Sequence, residues 1–481
     1  MSIANLEPAR VWKHFHALTQ IPRPSKHEEK IVACMTDFGK RLGLETIVDE
    51  TGNVIIRKPA VKGMENRRGV ILQAHLDMVP QKNSDTQHDF EKDPITAFAD
   101  GEWVRAKGTT LGADNGIGVA MAMAVLEAAD LSHGPVEALF TIDEETGMTG
   151  AFGLKPGLLK GDILINLDSE DEGELYVGCA GGLDGSFLFR GTEEPAPAGY
   201  EAFRLSVKGL RGGHSGMDIN LGRGNANKIM FRLLHQLSAE FGMRLASVDG
   251  GSLRNAIPRE AFAVILLPAD KVAAAKQAVD AAFRTIAAEL AVTEENLDIA
   301  IEPAGTPEKT IDEKIQKALI LAVCACPNGV MRMSDSVPGL IETSSNLAIV
   351  KLEKDTARIS CLLRSSVDSA KDDLAAMMGA VFTLAGAEVR FTGGYPGWKP
   401  NPASTVLRTM KEVYQKLYGK TPEVKAIHAG LECGLLGGTY PHWDMISCGP
   451  TIRSPHSPDE RVKIDTVGKC WNFLVETLKT I

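Results

Sequence analysis

The sequence predicts an α/β fold, in which a mainly parallel, mixed sheet lies between helices and an α+β domain is inserted into the chain. Short, continuous apolar runs predict the sheet, at Val70 to Leu72, Val136 to Ile142 and Ile163 to Leu167. A nearly all-apolar helix, Ile117 to Leu126, lies between the first two runs. Strands buried on both faces lack polar alternation, so apolar runs separated by helices indicate parallel strands covered by helices.

The character of the chain changes after residue 184. A polar stretch with two prolines, Thr192 to Gly199, marks a boundary or a long turn, and Gly393 to Gly397 is a second break. Between them, strand patterns alternate with helical ones, at 202–207, 261–267, 269–290, 297–301, 347–352, 357–363 and 368–384. We expect residues 185–397 to form the inserted α+β domain and residues 1–184 and 398–481 to form the first domain, because a tail residue completes the site described below.

Local signals predict helices at both ends of the first domain. Ser25 to Glu28 has the spacing of a capping box, and Ile31, Val32 and Met35 continue the helix that would follow it. In the tail, Ser404 to Leu417 has the pattern of an amphipathic helix.

Composition limits the possible functions. The chain has 481 residues, enough for two domains, and carries 62 Asp and Glu against 52 Lys and Arg. The net charge of −10 argues against nucleic acid and anionic membranes as partners. The N-terminus lacks the apolar region of a signal peptide and no run of about 18 apolar residues occurs, so a cytoplasmic location is expected. The eight scattered cysteines are interpreted as small core residues in a reducing compartment.

Histidine and carboxylate residues follow the predicted strands of the first domain. His75 and Asp77 come directly after the first strand, and residues i and i+2 of an extended segment face the same way. Asp77 can therefore hold one imidazole nitrogen while the other binds a metal ion. Asp143, Glu144 and Glu145 follow the second strand, where adjacent like charges repel unless a cation binds. One such carboxylate can ligate a metal while its neighbour remains free as a base.

Two further carboxylates stand at comparable places. Asp168 ends the run Ile163 to Leu167, and Asp114 lies in the segment Gly112 to Gly116 before the apolar helix. Each segment also has an ordinary explanation that involves no metal. It can be a solvated strand end, an acidic turn or, for Asp114, a helix N-cap. Their coincidence at the carboxyl ends of parallel strands, where open α/β sheets build their sites, favours one shared metal site.

The ligand types narrow the choice of metal. One histidine with several carboxylates and no cysteine suits Zn²⁺, Mn²⁺ or Co²⁺. A second ion needs a second histidine, and His456 is the best of the distant candidates.

Five motifs resemble the co-catalytic zinc peptidases of the carboxypeptidase G, aminoacylase and carnosinase superfamily. Their order and the wide gap before the last histidine also match that superfamily. The motifs are His75-Leu76-Asp77-Met78-Val79-Pro80, Gly112-Ala113-Asp114-Asn115-Gly116, Asp143-Glu144-Glu145-Thr146-Gly147, Asn166-Leu167-Asp168 and Ser454-Pro455-His456-Ser457. The resemblance implies that the first domain is the catalytic domain and that the insertion is a lid and dimerisation domain.

The resemblance also implies a role for each of these residues. Two Zn²⁺ per subunit are expected, with Mn²⁺ or Co²⁺ as alternatives. Asp77 would orient the first histidine, and Glu144 would be the general base for a metal-bridged hydroxide. The Asp114–Asn115 peptide bond would be cis. The expected ligands are Asp114 as the bridge, His75 and Asp168 on one ion, and Glu145 and His456 on the other.

Two glycine-rich motifs, Gly212 to Gly216 and His428 to Gly434, look closer to the branch of the superfamily that cleaves Xaa-His dipeptides. Metal-dependent hydrolysis of small dipeptides, β-alanyl-histidine (carnosine) among them, is therefore expected. His214 would be the oxyanion donor and, as in relatives, would reach the site of the partner subunit. A homodimer is then implied.

The substrate must also be held by its free carboxylate. Arg364 ends a predicted strand and can bind a carboxylate with a bidentate fork, although an ordinary strand-end ion pair is the alternative. Asn255 resembles a position of that family that contacts the substrate, Gly430 and neighbouring backbone groups are expected to line the substrate pocket, and Glu432 receives no role.

Two alternatives remain open. The first is a related enzyme of the same superfamily, either an aminoacylase or other deacylase, or an aminotripeptidase. The second is a non-catalytic binding protein on the same scaffold, which predicts the loss of Glu144 or of a ligand; all of these residues are present.

Overall fold

The computed structural model describes residues 2–481 and divides the chain into two compact units. The first unit comprises Met1–Gly178, Pro400–Ala426 and Leu431–Ile481, and the second comprises Cys179–Lys399 and Ile427–Gly430. The units change over at 178/179 and 399/400, beside the expected domain boundaries at 184/185 and 397/398. Residues 427–430 pack with the second unit although the chain on both sides of them belongs to the first.

The N-terminal segment supplies most of the first unit. A 3₁₀ helix, Ile3–Asn5, precedes its regular elements. These are α1 (Ala9–Thr19), α2 (Glu29–Arg41), β1 (Glu45–Val48), β2 (Val54–Lys58), β3 (Val70–His75), β4 (Ala97–Asp100), β5 (Trp103–Ala106), α3 (Ala113–Glu127), β6 (Val136–Thr141), α4 (Glu144–Gly147), α5 (Thr149–Gly153), β7 (Ile163–Asn166) and β8 (Glu174–Cys179).

The central segment forms the second unit. A second 3₁₀ helix, Ala269–Lys271, leads into its longest helix. Its elements are β9 (Gly181–Arg190), β10 (Glu193–Pro195), β11 (Tyr200–Lys208), β12 (Gly213–His214), α6 (Ala226–Phe241), β13 (Arg244–Gly250), β14 (Ala256–Ile257), β15 (Ala261–Pro268), α7 (Val272–Glu289), β16 (Asp298–Pro303), β17 (Lys309–Ile311), α8 (Glu313–Ala325), β18 (Gly329–Met333), β19 (Ile341–Glu353), β20 (Thr356–Ser365), α9 (Asp368–Leu384) and β21 (Glu388–Tyr395).

The C-terminal segment returns to the first unit. The Ser404 hydroxyl caps its first helix by accepting the Leu407 N–H. The elements are α10 (Thr405–Tyr418), β22 (Glu423–Ile427), α11 (Glu432–Thr439), β23 (Asp444–Ser447), β24 (Ile452–Arg453), β25 (Arg461–Lys463) and α12 (Ile464–Thr480).

The sheet of the first unit has the strand order β1-β2-β6-β3-β7-β23-β8-β22. Its centre, β6-β3-β7-β23, is parallel, whereas β1, β2 and β8 pair antiparallel with their neighbours. The predicted α/β fold with a mixed sheet is therefore confirmed, and parallel strands form the centre of that sheet. A smaller sheet, β24-β25-β5-β4, ties the tail to the N-terminal segment.

The second unit is built on a nine-stranded sheet. Its order is β16-β11-β15-β13-β19-β20-β9-β21, and β18 also pairs with β19. The pairings between these strands are antiparallel, as expected of an α+β unit.

Each unit has its own hydrophobic core. The core of the first unit gathers apolar residues of the parallel strands and of α1, α2, α3, α10 and α12. The core of the second joins its sheet to α6, α7, α8 and α9. Six of the eight cysteines are buried, in agreement with their interpretation as core residues. Among residues 2–481, no helix is both long and apolar enough to cross a membrane.

Candidate metal centre

Elements of the first unit carry the predicted ligands to one place. His75 ends β3, Glu145 lies in the one-turn helix α4 after β6, and Asp168 follows β7. Because β6, β3 and β7 are parallel neighbours, their carboxyl ends share one edge of the sheet. Asp114 comes from the first turn of α3, and His456 comes from the loop between β24 and β25.

The donor atoms of these five residues lie close together. His75 Nε2 is 3.2 Å from Asp114 Oδ1 and 3.3 Å from Asp168 Oδ1. His456 Nε2 is 3.2 Å from Asp114 Oδ2 and 3.0 Å from Glu145 Oε2. The two oxygens of Asp114 thus face different histidines, which is the arrangement of a carboxylate that bridges two cations.

Asp114 departs from helical backbone at the start of α3. Its φ and ψ are −78° and 111°, and its peptide bond to Asn115 is cis, as expected. The Asn115 side chain donates to the Leu167 carbonyl at 2.9 Å and to the Asp168 carboxylate. The N-cap of α3 is Gly112, so Asp114 is not a capping residue.

Asp77 contacts the first histidine from the side away from the other ligands. Its Oδ1 is 3.2 Å from His75 Nδ1, which leaves Nε2 directed to the site. The Asp77 carboxylate also accepts the Ser25 hydroxyl at 2.8 Å and the backbone N–H groups of Glu144 and Glu145 at 3.0 and 3.2 Å. Burial raises the pKa of Asp77, but the neighbouring His75 and the hydrogen bonds from Ser25 and Glu144 outweigh it and lower the pKa to about 2.

Glu144 and Glu145 are adjacent but have different surroundings. Glu145 Oε2 faces His456, while its buried Oε1 has no hydrogen-bond partner among residues 2–481. No described residue makes a hydrogen bond or ion pair with the Glu144 carboxylate. Burial raises the pKa of Glu144 well above its usual range, and His75 offsets this only in part. A free carboxyl with a raised pKa suits a general base near neutral pH.

The site carries an excess of negative charge that a cation would relieve. Burial raises the pKa of Glu145 and of Asp168. Hydrogen bonds with Asp114 and Glu145 raise the pKa of His456 to about 11. Two imidazoles, three carboxylates, no thiolate and one buried oxygen without a partner fit divalent Zn²⁺, Mn²⁺ or Co²⁺.

A second acidic cluster, Glu28, Asp77 and Asp143, carries no argument for another ion. Glu28 Oε1 accepts hydrogen bonds from the N–H groups of Lys26 and Asp143 at 2.8 and 3.1 Å, and two threonine hydroxyls donate to the Asp143 carboxylate.

The predicted capping box at Ser25 was wrong, because Ser25 donates to Asp77 and does not cap α2.

Two buried charged residues that were not predicted from the sequence contact the backbone beside the predicted ligands. Arg23 donates to carbonyl groups beside two ligands, those of Leu76, Asp77 and Gly112. The Glu460 carboxylate accepts four backbone N–H groups at 2.6–3.1 Å, those of Leu111, Gly112, Ala113 and Asp114. The available signals were weak: an arginine between two prolines, and an acidic pair shortly after His456.

The other predicted site residues lie in the second unit, and His214 is the best defined of them. Its Nδ1 accepts the backbone N–H groups of Gly216 and Met217 at 3.2 and 3.1 Å. Burial and the Arg364 charge lower its pKa, so the ring is neutral. Because Nδ1 is an acceptor, the proton is assigned to Nε2, which is then a hydrogen-bond donor.

Arg364 is buried near the end of β20. Its Nε donates to Ser215 Oγ at 3.4 Å and its Nη1 to the Tyr395 hydroxyl at 3.3 Å. Among residues 2–481, no carboxylate forms an ion pair with it, so the alternative of a strand-end ion pair is not seen. A buried cation without an anionic partner is unfavourable unless an outside anion binds.

The local structure gives less support to substrate-binding roles for Asn255 and Gly430. The Asn255 side chain is exposed, and its backbone carbonyl accepts the Ser215 N–H at 2.8 Å. Gly430 is half-buried at the end of the 427–430 segment. In that segment, His428 Nε2 is 2.7 Å from Ser344 Oγ.

The chain is similar to characterised proteins over its whole length. The model of Peptidase family M20/M25/M40 matches residues 71–480. The cytosol non-specific dipeptidase of Escherichia coli (strain K12) is 49% identical over 479 residues, which cover 100% of this chain and 99% of that protein. The crystal structure of aminoacylhistidine dipeptidase from Vibrio alginolyticus has a TM-score of 0.96 and 50% identity, covering 100% of this chain and 98% of that one. Aminopeptidase PepT from Bacillus cereus ATCC 10987, with a TM-score of 0.59, 17% identity and 99% of both chains covered, shares the fold.

Proposed function

The chain belongs to Peptidase family M20/M25/M40 and is a metal-dependent dipeptidase, and we propose that it cleaves dipeptides, Xaa-His among them, at two Zn²⁺ ions. The proposed ligands are the five residues gathered at the sheet edge. The observation that carries the two-ion arrangement is the position of Asp114, whose two carboxylate oxygens face His75 and His456 separately.

The residues divide the work of peptide hydrolysis between them. Bound cations would lower the pKa of a shared water and polarise the scissile carbonyl. The Glu144 carboxylate, which has no partner in the chain, would take the proton of that water and pass it to the leaving amine. Asp77 would keep His75 oriented with Nε2 toward the site.

Residues of the second unit would bind the substrate. The Nε2–H of neutral His214 would donate to the oxyanion that forms at the carbonyl. Arg364 would bind the terminal carboxylate, since its buried guanidinium lacks an anionic partner. Asn255 and Gly430 would line the pocket beside it. If Arg364 must bind the terminal carboxylate of the substrate, short substrates with an unblocked C-terminus are favoured.

The substrate range is proposed from the relatives. One relative is named a non-specific dipeptidase and another an aminoacylhistidine dipeptidase. We propose that this chain accepts several dipeptides, with β-alanyl-histidine among them. The relative named a cytosol dipeptidase also supports a cytoplasmic location.

A substrate panel tests the proposal. Metal-stripped protein is reconstituted with Zn²⁺, Mn²⁺ or Co²⁺ and assayed on Xaa-His dipeptides, other dipeptides, dipeptide amides, tripeptides and N-acetyl amino acids. Dipeptides should be cleaved fastest, and amidation of the C-terminus should raise KM. Faster cleavage of N-acetyl amino acids or tripeptides would instead support the deacylase or aminotripeptidase alternative.

We further propose a homodimer in which His214 serves the site of the other subunit. Its support is the resemblance of Gly212 to Gly216 to family members that share sites in this way. Mixing the inactive variants H214A and E144Q tests it. In a mixed dimer, the subunit that retains Glu144 would receive His214 from its partner and regain activity. No recovery after subunit exchange would refute the shared site.

A further inference from the structure

Glu432 is a buried carboxylate outside the proposed reaction. It begins α11 and its side chain is 0% exposed. Its Oε2 accepts a hydrogen bond from Gln73 Nε2 at 2.6 Å and another from Thr141 Oγ1 at 2.8 Å. Its Oε1 has no hydrogen-bond partner among residues 2–481. A buried charge is costly, so this position requires an explanation.

Glu432 ends a row of polar side chains that crosses the parallel strands. The Gln73 Oε1 atom accepts a hydrogen bond from Asn166 Nδ2 at 2.5 Å, and the side-chain Oδ1 of Asn166 accepts one from the Ser447 hydroxyl. Ser169 Oγ lies 2.6 Å from Ser447 Oγ. Each amide and hydroxyl therefore donates toward Glu432, and the carboxylate is the acceptor at which the row ends.

The two donors to Glu432 lie on the two adjacent strands that lead to the proposed metal ligands. Gln73 precedes His75 by two residues on β3, so both side chains are on the same face of the strand. Thr141 ends β6, pairs in register with His75, and precedes the turn that carries Glu144 and Glu145. A single carboxylate thus joins the ends of β3 and β6, at the point where these strands lead to proposed metal ligands.

We propose that Glu432 is a positioning residue for the metal centre. By accepting from Gln73 and Thr141, it fixes the ends of β3 and β6 relative to each other. This sets the separation of His75 from the turn that carries Glu145. The inference rests on the proposed function only in taking these residues as metal ligands.

The test compares two substitutions of Glu432 by zinc affinity, measured by chelator competition without substrate. E432L removes the acceptor and should weaken zinc binding by about 10-fold, the lower end of the loss when a partner of a ligand is removed, because Glu432 acts on the ligands through Gln73 and Thr141. E432Q keeps an amide oxygen that both donors can reach and should stay within about threefold of the parent. With zinc saturating, E432L should lower the kcat for a dipeptide more than it changes KM.

The matched control is Glu137, a second buried carboxylate, which lies on β6. It accepts the N–H groups of Lys160 and Gly161 at 2.7 and 2.8 Å, at the amino end of the strand. E137L and E137Q should leave zinc affinity unchanged, whatever their effect on the melting temperature. T141V removes one of the two donors to Glu432 and replaces E432L in the test if E432L does not fold. It should weaken zinc binding several-fold.

Three outcomes would overturn the proposal. The first is parental zinc affinity in folded E432L or, if E432L does not fold, in T141V. The second is an equal loss of zinc affinity in E432L and E432Q. The third is an equal loss of zinc affinity in E432L and E137L. If the parent cleaved no dipeptide while E432L still bound zinc weakly, the proposed function would fail and the positioning role would stand.

Discussion

Neighbouring carboxyl groups in one turn can have different functions, because the surroundings of each residue differ. Glu145 lies 3.0 Å from His456 and has an unpartnered oxygen, whereas the Glu144 carboxylate makes no contact of this kind within the described chain. The backbone N–H groups of both residues donate to Asp77, which fixes the turn. At the residue scale, these surroundings support the proposed roles of Glu145 as a ligand and Glu144 as a base.

Substituting each glutamate by glutamine should give different results. E144Q should lower kcat by about 10²- to 10⁴-fold, because the base is lost, and should keep the parental metal content. E145Q should lower the metal content, because an amide is a poorer ligand than a carboxylate. Elemental analysis together with steady-state kinetics checks both. Near-normal turnover of metal-loaded E144Q would exclude Glu144 as the base.

His428 should make stability depend on pH. Burial and the Arg364 charge lower its pKa from 6.5 to about 3. The folded chain then binds fewer protons at this residue than the unfolded chain, so its stabilising effect is present above pH 6.5 and is lost as the pH falls toward 3. The cost is about 2 kcal/mol between pH 7 and pH 5.

Urea unfolding of the parent and of H428Q at pH 7 and pH 5 measures this effect. The variant lacks the titrating ring, so its stability relative to the parent should rise as the pH falls. A constant difference between the two proteins across this interval would contradict the assignment.

At the scale of elements, one carboxylate joins two loops that carry proposed metal ligands. Glu460 ends the loop that bears His456 and accepts the N–H groups of residues 111–114 at the start of α3. Asp114 and His456 are therefore held together by backbone contacts as well as by their own side chains. Both Ser454 and His456 adopt left-handed φ angles, of 53° and 59°, which the surrounding contacts must maintain.

Breaking this link should loosen the centre. In E460Q, the side-chain amide group would face two backbone N–H donors and two hydrogen bonds would be lost. Metal affinity should fall by about tenfold or more. D459N, at the exposed neighbouring position, is the control and should bind metal normally, as measured by chelator competition. Equal affinities of E460Q and D459N would show that the link does not position the ligands.

At the scale of the whole molecule, the chain builds its first unit from three segments separated by the second unit. The C-terminal segment contributes one central strand, β23, and the proposed ligand His456. Bound metal would therefore connect N-terminal ligands to a C-terminal one, and should stabilise the first unit by mass action.

Removing the metal should thus affect both stability and activity. Chelation should abolish dipeptide hydrolysis and lower the melting temperature of the first unit, and added Zn²⁺ should restore both. At free metal about 100 times Kd, the expected stabilisation is about 2.7 kcal/mol. Scanning calorimetry with and without chelator measures this, and E145Q should show a smaller shift. A melting curve unchanged by chelation would contradict a metal that joins these segments.

The sequence was sufficient where the signal is local. Apolar runs predicted the parallel strands, since strands buried on both faces need continuous apolar residues, and the acidic residues after them marked the edge that bears the site. The motif order predicted the family, which the comparisons confirmed. The capping box at Ser25 was wrong, because a tertiary contact with Asp77 replaced the local one.

Only the tertiary structure decided which distant groups meet. Glu460 and the 111–114 amides are about 350 residues apart, and Glu432 lies 359 positions from Gln73. Nothing in the periodicity around these residues distinguishes a buried acceptor from a solvated acid. The physical reason is that a buried carboxylate is tolerated only where donors converge on it, and those donors come from strands and turns that the folded chain brings together.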